Sequence, residues 1–271
     1  MKTLTLNGPK TALNIFTCLC VFTLIYFGFI HNSGALPVSG EPVSTSYVAI
    51  IINGFGNGAE GTREFMYMDI PFTAAVLPGG TYTRDEARQL LANGKEVIIH
   101  MPMEARNMRN VTLPEINIMD SNTKAEARAA LLKAIDQIPG ATGINNHLGA
   151  RVMENEELLT TILSTAQEHN LYFVDSLTEN SSKALEIGEN LGIQVYTAEI
   201  LIDGRRDIRR IERNLRSAGE QAAEEGFAIV VGHVGQEVGK TTAQAIQNMY
   251  IELSQKGVHF VTMSELIEKL K

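Results

Sequence analysis

The chain has 271 residues, 44% hydrophobic and 20% charged, with a formal net charge of −8 at neutral pH. Such a composition belongs to an ordinary globular domain, long enough to bury a sizeable core. The acidic balance argues against a nucleic-acid binder, which needs a basic surface to neutralise phosphates.

Residues 1–12 contain Lys2 and Lys10 and read as a cytoplasmic leader to the uncharged run 13–30, "LNIFTCLCVFTLIYFGFI". The run is near the length that crosses a bilayer, and the lysines before it favour a cytoplasmic N-terminus. A retained membrane anchor is the preferred reading. A cleaved signal segment is the alternative, with Ser33-Gly34-Ala35 as the small-residue cleavage site. Either way, the rest of the chain is expected outside the cytoplasm. Both cysteines, Cys18 and Cys20, lie in this run, so the exported part has no disulfide and no thiolate ligand. Residues 31–46, rich in Gly, Pro and Ser, form a linker.

From residue 47 to 271, short apolar runs alternate with helical patterns. Strands are predicted at 47–52, 72–77, 96–100, 142–146, 171–175, 193–196, 227–232 and 258–262. The helix "TKAEARAALLKAIDQI" opens with Thr123 and Glu126 in capping-box spacing and stops before Pro139. A second helix places Ile208, Ile211, Leu215, Ala218 and Ala222 on one stripe. The chain closes with a strand and a helix capped at Ser264. Seven or eight β-α units with nearly continuous apolar strands predict an α/β fold, a closed or nearly closed barrel of parallel strands. Residues 101–121 form a long loop on the active-site side.

In such barrels the ligand-handling groups stand where strands end. The positions after the apolar runs are Asn53; His100, then Glu104; Asn145, Asn146 and His147; Asp175 and Ser176; Asp203; and His233. Two neutral imidazoles with a carboxylate can hold Zn²⁺ or a similar cation, and a further histidine oriented by an aspartate can protonate a leaving group.

Two other patterns have plainer explanations. Gly239-Lys240-Thr241 resembles a phosphate-binding loop, but the required earlier glycine falls on Val234, so no nucleotide is expected. The arginines at 205, 206, 209, 210, 213 and 216 read as a solvated helix face, with contact to an anionic glycan or lipid headgroup as the alternative.

The segments "VAIIINGFGN", "PFTAAVLPGG", "GKEVIIHMPME", "TGINNHLGARVM", "LYFVDSLT", "EILID" and "AIVVGH", in that order, resemble the divergent polysaccharide deacetylase family. The resemblance implies a distorted (β/α) barrel of seven or eight strands in the bacterial cell envelope. It also implies metal-assisted hydrolysis of acetyl groups on a glycan. By matching positions, His100 and His147 are the expected holders of a divalent metal, zinc foremost. Asp175 and His233 are the expected acid pair, the aspartate positioning the imidazole. Asn53, Glu104, Asn145, Asn146, Arg151 and Asp203 are expected along the substrate groove.

The departure is after the first strand. There the family has two adjacent aspartates, a base and a metal ligand, and this chain has Asn53 and Gly54. An amide cannot take up a proton near neutral pH, and glycine offers nothing to a metal. Loss of a positioned base removes a factor of about 10²–10⁴ in rate. Glu104, near the end of the third strand, is the carboxylate that could swing in as the third ligand or as the base. Two functions therefore stand open: an impaired deacetylase, or a non-catalytic relative that binds glycan or an envelope protein partner.

Overall fold

The computed structural model describes residues 45–109, 111–177, 182–235 and 237–271. The apolar run 13–30 and residues 31–44 of the linker lie outside the described residues, and Ser46, the last residue read as linker, begins the first strand. Among the described residues no helix is long and apolar enough to cross a membrane.

Among the described residues nine strands form one sheet: β1 Ser46–Phe55, β2 Thr73–Val76, β3 Glu96–Met103, β4 Gly143–Leu148, β5 Tyr172–Asp175, β6 Val195–Thr197, β7 Ile200–Leu201, β8 Phe227–His233 and β9 Val258–Val261. The helices are α1 Thr62–Met66, α2 Thr83–Ala92, α3 Lys124–Gln137, α4 Glu156–Glu168, α5 Ala184–Leu191, α6 Ile208–Glu225, α7 Gly239–Gln255 and α8 Met263–Lys269. The sheet order is β6-β5-β4-β3-β2-β1-β8-β7, with β9 added on β1, and every pairing is parallel. Strands joined through helices can pair only in this sense while burying both faces.

The two faces divide by alternation along each strand. On β1, Ile50 and Ile52 join the large cluster beneath the helices, while Ala49 and Ile51 join a smaller one inside the curled sheet. The curl is tight. Asn145 on β4 donates from Nδ2 to Asn53 Oδ1 on β1 at 2.9 Å, although β2 and β3 lie between them in the sheet. Closure is incomplete: among the described residues β6 and β7 form no ladder, which leaves a seam in the expected barrel.

Strand β1 is the hub. One edge pairs with β8 from Tyr47 to Asn53. The other edge is shared, Ser46–Ala49 with β9 and Ile51–Phe55 with β2. The β2 ladder slips between Asn53 and Phe55, and the extra residue is Gly54 at φ 96. A bulge with left-handed backbone is a glycine position.

The lower end of the sheet is closed by α8, whose Met263 and Leu266 enter the inner cluster. Its cap is Thr262, in a capping box with Glu265, rather than Ser264. Ser264 is occupied elsewhere, donating from its N–H and its hydroxyl to Glu96. Glu96 also accepts from Thr73 Oγ1, Thr142 Oγ1 and Tyr172 OH, fastening the beginnings of four elements together. The other two helix readings match: α3 opens with the Thr123–Glu126 capping box, and α6 buries Ile211, Leu215, Ala218 and Ala222.

Gly239, the centre of the phosphate-loop pattern, is a packing glycine. A Cβ there would stand 2.1 Å from Glu60 O, where α7 meets the start of α1.

Candidate functional site

A cavity of about 370 Å³ opens at the carboxyl ends of the strands, at the small end of the range for ligand pockets. Asn53, His100, Asn146, His147, Ser176, Glu199 and His233 provide its polar lining; Leu148, Leu177, Ala198, Leu201 and Val231 its apolar wall. Side chains from β1, β3, β4 and β8 converge here because the curl brings alternate residues of each strand to the inside.

A directed hydrogen-bond chain crosses the floor. Asn145, fully buried, donates from Nδ2 to Asn53 Oδ1 at 2.9 Å and to Ser176 Oγ at 3.3 Å. Its Oδ1 therefore accepts from His100 Nδ1 at 2.9 Å, which puts the His100 proton on that nitrogen. His100 Nε2 is left as an acceptor and takes the Nδ1–H of His147 at 3.0 Å. The chain ends with His147 Nε2 as an unused acceptor among the described residues. Both rings are neutral near pH 7. Burial holds His100 well below the ordinary imidazole range, helped by the nearby His147 and His233 and opposed by Asn145. Burial and His233 bring His147 down to about 4.

A second unit stands at the other wall. Asp203, buried just past β7, accepts from His233 Nδ1 at 3.0 Å, from His233 N at 2.6 Å and from Thr242 Oγ1 at 2.9 Å. Thus the aspartate that orients His233 is Asp203, in place of Asp175. The cause is sheet order: β7 lies beside β8, whereas β5 lies across the seam. Asp175 does not line the cavity. Its Oδ1 accepts from Leu177 N, and burial raises its carboxyl against the hydrogen bonds of Ser182 and Leu177.

Glu104 and Arg151 are also outside the cavity lining. Glu104 accepts from Asp120 N at 2.8 Å and from Arg151 at 3.3 Å, stapling the loop after β3 to the segment after β4. Its two oxygens are engaged away from the histidines, so it does not replace the missing acid. Asn146 lies at the cavity edge, bonding Leu148 O and Ser176 N.

Sequence reasoning missed the apolar wall and Thr242. Leu148 and Leu177 carry left-handed backbone, φ 60 and φ 42, where strands β4 and β5 end at the cavity. Leucine in that region costs on the order of 1 kcal/mol, and such strain collects at binding sites. Nothing in a leucine signals this beforehand.

The metal expected from the resemblance needs two imidazoles and an anionic ligand. Among the described residues no three His, Cys, Asp or Glu side chains are grouped to hold one. His100 and His147 do converge, yet one's lone pair accepts the other's N–H, and the third position is the amide of Asn53, itself an acceptor for Asn145. This neutral donor set does not fit a tightly held divalent cation.

An open parallel α/β barrel with imidazoles and amides at its strand ends is the scaffold of a small-ligand site. The model of the divergent polysaccharide deacetylase family matches residues 50–267, and the chain belongs to that family. It is 26% identical to the uncharacterized protein YibQ of Escherichia coli K12, over 79% of this chain and 67% of that one. It is 27% identical to an uncharacterized protein of Haemophilus influenzae Rd, over 76% of this chain and 72% of that one. An uncharacterized protein of Agrobacterium tumefaciens C58 shares the fold with a TM-score of 0.76, at 21% identity, covering 82% and 89% of the two chains.

Proposed function

We propose that the chain binds acetylated glycan on a deacetylase scaffold from which the hydrolytic step has been lost. The observation that carries this reading is the floor of the cavity. The position of the family's first aspartate is an amide, Asn53, locked by Asn145, and the two metal-side histidines are hydrogen-bonded to each other. Among the described residues one carboxylate lines the cavity, Glu199, exposed between β6 and β7, whereas the floor positions around His100 and His147 carry the amides Asn53 and Asn145.

What remains suits recognition. His147 Nε2 accepts N–H or O–H from a ligand, and an acetamido group supplies both an N–H and a methyl for the leucine wall. A bacterial envelope location is part of the proposal and rests on the apolar run 13–30.

A second reading, a weak metal-dependent deacetylase, is favoured by one observation: the Asp203–His233 pair is intact and faces the cavity. One experiment separates the two. Titrate the full chain with acetylated chito-oligosaccharide, with and without zinc, and assay acetate in the same samples. Binding without acetate release, abolished by His147→Ala, supports the first reading. Zinc-dependent acetate release establishes the second. No binding and no release removes both.

A further inference from the structure

Helix α6 begins at the end of the molecule that holds the cavity. It starts just beyond β7, whose Leu201 lines the cavity, and descends to the beginning of β8. Arg205, just ahead of the helix, and Arg209, Arg210 and Arg213 on its first turns are all exposed. None of the four has a carboxylate partner among the described residues; Arg206 pairs with Glu237 and Arg216 with Glu252. The acids between them are committed elsewhere. Asp207 accepts from the N–H groups of Arg209 and Arg210 as the helix cap, and Glu212 accepts from Asn248.

On a chain of net charge −8, four guanidinium groups within nine residues, without a carboxylate partner among the described residues, concentrate positive charge in one patch. Within the helix, Arg209–Arg213 and Arg210–Arg213 are like charges at the spacings that put side chains side by side. No acid occupies the first turn to offset them. Arginine clusters of this sort are matched by anions that accept the planar fork, carboxylate or phosphate. The step from Arg209 to Arg213 is one helical turn, with Arg205 just ahead of the helix, which fits repeated anions along a chain. A lipid surface fits less well: the apolar stripe of α6, Ile211, Leu215, Ala218 and Ala222, is buried against the sheet, so nothing apolar is left to enter a bilayer.

We propose that Arg205, Arg209, Arg210 and Arg213 bind a glycan carrying a carboxylate on successive sugars, a polyuronate, whose chain continues toward the cavity past Leu201. The direction of the chain rests on the glycan-binding reading of the cavity; the charge match does not.

The test uses the full chain in detergent, with polygalacturonate and a neutral glucan of similar length as probes. At low salt the natural protein should bind polygalacturonate at least tenfold more tightly than the glucan, with the preference fading as salt rises. The variant with all four arginines changed to Gln should lose that preference. Equal binding of the two polymers by the natural protein overturns the proposal, as does an unchanged preference in the variant. Capture of phosphatidylglycerol vesicles that depends on the arginines, without polygalacturonate binding, also overturns it and assigns the surface to membrane. If the fourfold variant melts early, Arg209→Gln and Arg213→Gln singly carry the same comparison, each expected to lower the preference two- to threefold. His147→Ala reports on the cavity alone. Its failure to affect acetylated-glycan binding sinks the cavity reading and leaves the arginine result standing.

Discussion

Asn145 donates a hydrogen bond to Asn53 across the interior of the sheet, at 2.9 Å, and so fixes the orientation of everything beyond it: His100, then His147. Breaking this chain at its buried centre should be expensive. Asn145→Ala leaves Asn53 Oδ1 and His100 Nδ1–H without their partner, at a cost of about 2–4 kcal/mol for two buried polar groups and a small void. Denaturant unfolding reads the loss directly, and ligand affinity should fall with it because the imidazole orientations are no longer set.

Restoring the acids is unequal work at the two positions. Asn53→Asp keeps the Asn145 donor and adds the anionic ligand, so zinc affinity by calorimetry should rise at least tenfold. Gly54→Asp should lower stability by at least about 1 kcal/mol, because the bulge holds φ 96 and a Cβ would press on Val234 O at 3.2 Å. If Asn53→Asp leaves zinc binding unchanged, the account of the donor set is wrong.

The neutral His147 makes stability depend on pH. Its folded pKa, about 4, lies below the ordinary value of 6.5, so between these limits the unfolded chain binds a proton that the folded chain does not. Stability from this group is therefore complete above about pH 6.5 and lost as pH falls toward 4, on the order of 3 kcal/mol in all. The decline in urea midpoint from pH 7.5 to 5 should be visibly shallower in His147→Gln.

Asp203 should act on both stability and the site. Asp203→Asn removes one acceptor oxygen from a buried group that receives three hydrogen bonds, costing about 1–3 kcal/mol. The His233 ring, no longer fixed, should show the change in the chemical shifts of its ring protons. Thr242→Val tests the same unit from α7 with a smaller loss.

Glu96 works at the opposite end. Glu96→Ala strips the acceptor from Thr73, Thr142, Tyr172 and Ser264, and should lower stability by about 2–4 kcal/mol with glycan affinity in the folded protein unchanged. A change in affinity at full folding would contradict the separation of framework and site.

The parallel α/β arrangement and most strands were legible because apolar runs such as 48–52 and 228–231 are long enough to be distinctive. His100, His147 and His233 were legible as residues at strand ends. The Asp203–His233 pairing was not: it depends on β7, two residues long, lying beside β8, and no pattern announces so short a strand. Glu104 was misplaced for a related reason. Its proximity to His100 along the chain says nothing of its ties to Asp120 and Arg151, which depend on how two loops meet.

The shared edge of β1 bears on the timing of folding. The strand is the first of the sheet in sequence, yet its partners β8 and β9 come from the far end of the polypeptide. A chain emerging N-terminus first can pair Ile51–Phe55 with β2 early, but it holds the β8 edge of this apolar strand open until almost every later residue has arrived. Such distant pairings fold slowly, and the waiting strand is a natural client for a chaperone.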